Sequence, residues 1–281
     1  MGRTSWPTVV EQARRIVLGY DSDVTLRQVH YRLVAAGAIP NTPSAYRHLS
    51  AHLAAARRAN RFPDLVDTVR EVHVPPAWPD AGVLLAQTPA LFRLDRTLGQ
   101  QTALYIGAEK DSLRQMFTGW LADLGVPVVV VRGYSSQSYV QVVRERAARD
   151  QRPAVLLYFG DFDCSGEGIE ADFVARTACW SHVERVLLTD EQRLAYALPP
   201  TEGKKGDPRW PAFAARHGFD PDHPVQWEVE ALDPAELRRL LEGAIDPYID
   251  RDALAAVLAE ERRQRHLLAR FVRGWSAEPD T

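Results

Sequence analysis

Cysteine is scarce in this chain of 281 residues: Cys164 and Cys179 are the only two. They form no Cys-x-x-Cys pair, which excludes a disulfide framework and a cysteine zinc site. Lysine is almost as rare, with Lys110, Lys204 and Lys205 among 34 basic residues, so arginine carries nearly all the positive charge. No apolar run approaches the roughly 20 residues that cross a bilayer, and the N-terminus lacks the apolar core of a secretion signal. The expectation is a cytoplasmic protein with no membrane partner. No Gly-x-x-x-x-Gly-Lys-Ser/Thr phosphate loop occurs, so any ATP dependence would come from a separate ATPase chain. Internal repeats and low-complexity tails are missing too.

What is present is unevenly spread. The net charge is −3, yet up to Arg61 nine arginines face only Glu11, Asp21 and Asp23. This basic front end is patterned as helices. Pro7 and Thr8 open an amphipathic segment to Leu18, with Val9, Ala13, Ile16 and Val17 on its apolar side. Thr25 can cap TLRQVHYRLVAAG, which Gly37 terminates, and Thr42 with Pro43 can start a third helix ending near Asn60. Three helices with a tight second turn predict a helix-turn-helix, and FPDLVDTVREVHV, Phe62 to Val74, could supply a wing. The third helix has Tyr46, Leu49 and Leu53 on its apolar side. Arg47, Arg57, Arg58 and Arg61 are left to meet DNA, or to form an ordinary solvated face.

The most informative stretch is LYFGDFDCSGEGI, Leu157 to Ile169. An apolar strand ends at Gly160, and alternation sets Asp161 and Asp163 on one side while Phe162 points into packing. Two such carboxylates repel unless a cation lies between them, and oxygen-only ligands favour Mg²⁺ or Mn²⁺. Taken alone, the motif is equally a solvated turn capping the next helix through Ser165. A third carboxylate joins it: TALYIGAEKDSLRQMF reads as strand, turn and helix, with Glu109 at the carboxyl end of its strand. Between the two lie a strand at PVVVVRG and a helix from Ser136 to Asp150. Strand, helix, strand, helix, strand is the pattern of a parallel sheet, which gathers the carboxyl ends of its strands at one edge. Glu109, Asp161 and Asp163 are the expected metal ligands there.

An acid after the first strand and Asp-x-Asp after the third resembles the Toprim domain of topoisomerases, primases and several nucleases, over Thr102 to Thr189 with VERVLLT as a further strand. The expected fold class is therefore α/β, a Toprim-type parallel sheet flanked by helices and preceded by an α-helical winged-helix domain. The expected division is a winged helix over 1–78, a connecting helix or linker over 79–101, the Toprim domain with a C-terminal insert over 102–250, and a C-terminal helix over 251–281. That order is similar to the A subunit of topoisomerase VI and the related meiotic double-strand-break transesterase. The family's nucleophile lies in an Arg-x-x-x-Tyr pattern, which RQVHY matches here with Arg27 and Tyr31. Tyr31 lies about 100° from the stripe of Leu26, Val29, His30, Leu33 and Val34, at 100° per residue.

The resemblance implies that Tyr31 attacks a DNA phosphodiester, that Mg²⁺ on Glu109, Asp161 and Asp163 neutralises developing charge, and that Arg27 stabilises the phenolate or phosphate. It also implies a homodimer, with the tyrosine of one subunit acting at the metal site of another, in a nucleoid-associated protein. If Tyr31 is structural, the same acids would activate water, with Glu109 as base. A third reading is a non-catalytic DNA-binding protein. Further on, Lys204, Lys205 and Arg209 could clamp phosphate, with Asp207 orienting one of them. VQWEVEALDP, Val225 to Pro234, reads as an alternating strand with Glu228 and Glu230 on one side, facing solvent or completing a second metal site. The last helix, about Asp252 to Val272, carries mixed charges of a solvated face or dimer contact.

Overall fold

Three helices open the chain, each bounded by residues that suit its ends. α1 (Trp6–Leu18) has Pro7 in its first turn and buries Val9, Ala13 and Val17. α2 (Leu26–Ala35) starts in a capping box, the Thr25 hydroxyl accepting from the Gln28 amide and the Gln28 side chain from the Thr25 amide. This satisfies two donors that a helix start leaves without partners. Gly37 closes the helix at φ 67°, where a Cβ would be strained. α3 (Pro43–Arg58) follows Thr42, whose hydroxyl accepts from the Ala45 amide. These helices share a core of their own around Ala13, Val29, Leu33, Leu49 and Leu53. The computed structural model describes residues 5–20, 24–66 and 74–276. Most of the expected wing, 67–73, lies outside the described residues. What precedes it adds one parallel bridge between Thr25 and Val66. The three helices are in place, and among the described residues there is no wing.

α4 (Ala81–Leu91) occupies the expected connection and lies against the last helix of the chain. The sheet follows. β1 (Ala103–Ala108) and β3 (Ala154–Phe159) are buried along their whole length, as expected of uncharged, non-alternating strands covered on both faces. α5 (Asp111–Trp120) leads from β1 to β2 (Val128–Val130), α6 (Gln137–Arg149) leads on to β3, and α7 (Cys164–Thr177) leads to β4 (His182–Leu187). All pairings are parallel, in the order β2-β1-β3-β4. Leu104, Ile106, Leu157 and Phe159 pack on one face against Leu113 and Phe117 of α5. Tyr105, Leu156 and Tyr158 pack on the other against Val143 of α6 and Phe173 of α7.

The order matters for the site. The chain leaves β1 for one neighbour, β2, and then crosses to the other, β3, so β1 and β3 flank the point where the winding reverses. In open parallel sheets the crevice beyond the strand ends at such a point is where ligands bind. Ala108 is in register with Phe159, so Glu109 and Gly160 leave the sheet side by side.

Past β4 come α8 (Asp190–Ala195), β5 (Thr201–Glu202), α9 (Trp210–His217), β6 (Val225–Gln226), α10 (Pro234–Ile245) and α11 (Arg251–Ser276). The strand expected over Val225 to Pro234 shrinks to β6 and gives way to a 3-10 turn at Val229–Ala231. The cause is local: Trp227 bridges to Phe162 and the Val229 amide donates to Asp161, which bends this segment under the strand ends. α11 is anchored by Glu261, buried against the Arg96 guanidinium at 3.0 Å and accepting from the Leu94 amide at 3.1 Å.

Candidate active site

Each acid is placed by a different piece of backbone. Glu109 follows β1 directly, and its Oε2 accepts from the Asp161 amide at 2.8 Å. Two glycines make room for it: a Cβ on Gly160 would lie 2.5 Å from that oxygen, and one on Gly166 would lie 3.2 Å from it and 2.5 Å from the Asp161 carbonyl. Asp161, 5 % exposed, accepts from the Val229 amide at 3.0 Å. Asp163 is the N-cap of α7, accepting from the Gly166 amide at 2.6 Å, so the capping role falls to it and not to Ser165. Between the two aspartates Phe162 points into an aromatic cluster of Phe213, His217, Phe219 and Trp227. Arg193 stacks over Phe162, Phe219 and Trp227, which stiffens the loop from below.

Three residues that sequence reasoning placed elsewhere or overlooked complete the edge. The Lys110 ammonium lies 2.7 Å from Asp161 Oδ2, contacts Glu228 Oε2, and is 3.5 Å from Glu230 Oε2. Glu228 and Glu230 are thus buried against the site and do not face solvent. Their signal was the alternation itself, which sets both on one side; its direction depended on the bend after β6. The signal for Lys110 was its rarity, together with its place right after Glu109.

Five carboxylates therefore share one edge with one ammonium, and the electrostatics follow. Burial, reinforced by the charge of Asp163, raises the Glu109 carboxyl above its ordinary value in spite of Lys110 and the Asp161 amide. Burial and then repulsion by Glu228 and Glu109 push Asp161 up further, although Lys110 opposes both. Asp163 is raised by burial against the pull of the Gly166 amide. Burial disfavours the Lys110 ammonium, but Asp161, Glu228 and Glu230 outweigh it and hold Lys110 protonated. Glu228 is the exception, since Lys110 overcomes its burial and keeps it ionised.

Tyr31 joins this edge from α2 and is only 8 % exposed, closer to the core than its helical position implied. Its hydroxyl donates to Glu228 Oε1 at 3.2 Å and accepts from the Arg27 guanidinium at 3.3 Å, and Lys110 Nζ lies 5.5 Å from its ring. Burial and the Glu228 charge raise its phenol, against Lys110 and Arg27. Beside it, Arg32 donates to the Ala231 carbonyl at 3.0 Å and to Asp233 at 2.8 Å, tying α2 to the turn that carries Glu230.

A groove of about 740 Å³ opens onto this edge, lined by Arg27, Tyr46, Arg57, Glu109, Lys110 and Arg132. A second hollow of about 410 Å³ adjoins it, where Arg27, His30, Tyr31 and Arg47 meet the start of α3. Of the expected DNA contacts, Arg47 and Arg57 therefore face the site, whereas Arg58 and Arg61 are exposed and line neither hollow. Arg209 is held by Asp207 at 2.7 Å and reaches Ser165 Oγ at 2.7 Å and Tyr134 Oη at 2.8 Å, at the start of α7. Asp207 orients Arg209 as expected, and Arg209 in turn holds its carboxyl down to about 2. Lys204 is exposed, and Lys205 pairs with Glu202.

Whether these acids suit a divalent ion is a question of donors and geometry. The donors suit it: all are oxygens, they outnumber the neighbouring cation, and Glu230 Oε1 is buried with no hydrogen-bond partner. The geometry is not that of a loaded site. Among the described residues no group of three or more His, Cys, Asp or Glu side chains is arranged around a metal position. Lys110 draws Asp161 towards Glu228, while Glu109 and Asp163 are turned to backbone amides. Glu109, Asp161 and Asp163 reach one edge without forming a coordination shell.

No helix among the described residues is long and apolar enough to cross a membrane. No protein-family model matches the chain, and no curated protein matches it.

Proposed function

We propose that this chain is a metal-dependent enzyme of the Toprim kind that cleaves DNA, with Tyr31 attacking the phosphodiester as in the topoisomerase VI A subunit. The observation that carries this reading is the meeting of Glu109, Asp161 and Asp163 at the switch between β1 and β3, beside Tyr31 and below a groove lined by Arg27, Arg57 and Arg132. Anionic floor and cationic walls suit a phosphodiester only if a cation mediates between them. Glu109, Asp161 and Asp163 would hold Mg²⁺ or Mn²⁺, which supplies charge neutralisation at the phosphate.

The chain's own residues do the rest. Arg27, Arg57 and Arg132 bind phosphate, Arg27 stabilises the phenolate, and Phe162 with Trp227 keeps the acidic loop in place. The three N-terminal helices serve as the DNA-binding unit, and Arg209 with Lys204 takes a flanking phosphate. The same scheme brings a second copy of the chain and a separate ATPase as partners in strand passage, in the cytoplasm at the nucleoid.

A second reading is favoured by the burial of Tyr31 and the engagement of its hydroxyl: hydrolysis by water, with Glu109 as base. End-labelled DNA incubated with the protein and Mg²⁺ or Mn²⁺, then analysed with and without protease, separates the two. Cut DNA bound to protein, lost in both Tyr31→Phe and Asp161→Ala, is the expected result. Cleavage that persists in Tyr31→Phe with free ends selects water as the nucleophile. Intact DNA with both metals would overturn the enzyme reading.

A further inference from the structure

We propose that Arg185 is the positioning residue of the acidic edge: from β4 it holds the peptide that follows Asp161, and so sets where Asp161 and Asp163 stand relative to Glu109. This rests on the reading of those three acids as metal ligands. Among the described residues Arg185 pairs with none of the three carboxylates; its ion pair is with Glu170 of α7. It acts on the edge through backbone.

The strand itself aims this side chain. Arg185 lies opposite Tyr158 in the pairing of β3 with β4, and directly after it the register slips, leaving Val186 as an extra residue. A bulge of this kind bends the strand locally and re-aims a side chain. The guanidinium, with its side chain 17 % exposed, has all three nitrogens engaged. Nε donates to the Leu188 carbonyl at 3.1 Å, one terminal nitrogen pairs with Glu170, and the other donates to the Asp161 carbonyl. Its centre lies 5.3 Å from the ring centre of Tyr158, whose hydroxyl is 3.5 Å from Glu109 Oε2. One side chain thus ties the end of β4, the helix α7 and the acidic loop together.

The two peptide groups of Asp161 are then both fixed by side chains. Its amide donates to Glu109 Oε2, and its carbonyl accepts from Arg185. Gly166 keeps space beside that carbonyl, since a Cβ there would lie 2.5 Å from the oxygen. Released from Arg185, the peptide after Asp161 can turn, and Phe162 and Asp163 turn with it. A guanidinium is a planar fork that serves several acceptors at fixed angles, whereas an ammonium is a point charge without that fork. The role therefore calls for arginine and not for positive charge alone.

The test compares Arg185→Lys with Glu170→Gln in the full chain. Arg185→Lys keeps the charge opposite Glu170 and loses the fork, whereas Glu170→Gln breaks the tie to α7 and leaves Arg185 on the Asp161 carbonyl. Titration with Mn²⁺, followed by the spin resonance of the free ion, is expected to show affinity about 10- to 100-fold weaker in Arg185→Lys, the usual cost of losing a group that orients metal ligands. Glu170→Gln should lower the urea midpoint and leave Mn²⁺ affinity unchanged. Without metal, amide exchange at residues 161–163 should accelerate in Arg185→Lys and not in Glu170→Gln. If Arg185→Lys does not fold, the double variant Arg185→Met with Glu170→Gln, which leaves no unpaired carboxylate, takes its place with the same expectation. Unchanged affinity on loss of the arginine, or an equal loss in Glu170→Gln, would overturn the positioning role and leave the metal reading standing. No Mn²⁺ binding by the unaltered protein would overturn both.

Discussion

Lys110 is where residue-scale chemistry departs most from the sequence reading. Glu109, Asp161 and Asp163 were legible because strand ends and alternation locate carboxylates without any knowledge of side-chain contacts. Lys110 was not, because its role depends on Glu228 and Glu230, more than a hundred residues away in the chain, bending back beneath the same edge. Its ammonium does not balance five acids, and Asp161 bears the excess. Between the ordinary carboxylate range and its raised value, Asp161 binds more protons in the folded protein than in the unfolded chain. Its contribution to stability therefore falls as pH rises through that window. Asp161→Asn removes this contribution, so the variant should gain stability relative to the unaltered protein on going from pH 5 to pH 8. Urea midpoints at the two values test it, and a gain in the opposite direction would show that Asp161 is ionised at low cost. Divalent cation added at pH 8 should narrow the difference.

Among the elements, helices that end on local chemistry were the most legible. Thr25 with Gln28, Gly37, and Thr42 with Pro43 are all close neighbours in sequence, and each bounds a helix where expected. β6 was the least legible, since the Phe162 to Trp227 bridge that ends the extended run joins segments far apart in the chain. α11 shows both behaviours. Its helical pattern was clear and its mixed charge read as a solvated face, but Glu261 is buried against Arg96. Removing one partner of such a pair leaves the other uncompensated, at a cost of about 3–5 kcal/mol. Here Arg96 keeps its contact with Asp123 at 2.9 Å, so Glu261→Ala should lower stability by less than that amount, and amide exchange should accelerate along α11 and α4 before the sheet is affected. Uniform acceleration across the whole chain would instead make α11 part of the cooperative core.

At the scale of the whole molecule, the parallel sheet was legible and the docking of the helices upon it was not. Parallel pairing follows from the alternation of strands and helices, whereas the contact of α2 with the turn at Val229–Ala231 is made by Tyr31 and Arg32 across about two hundred positions. That docking helps form the groove, which Arg57 and Arg132, from two different parts of the chain, both line. Removing one arginine that neutralises a phosphate should reduce the slope of log affinity against log salt by about one. Arg57→Ala and Arg132→Ala are each expected to do so in DNA-binding titrations, while Arg61→Ala leaves the slope unchanged. Equal effects from all three would extend the proposed DNA path from the groove onto the outer face beyond α3.

The bonds that close this docking are also the ones a substrate would claim. A phosphate drawing Arg27 away from the Tyr31 hydroxyl, and a tyrosine drawn off Glu228, would remove links between the helical unit and the sheet at the moment of occupancy. If the chain binds DNA as proposed, affinity would be linked to the opening of the molecule: part of the free energy of association would be used to loosen α2, and a change that weakens the docking alone should tighten DNA binding.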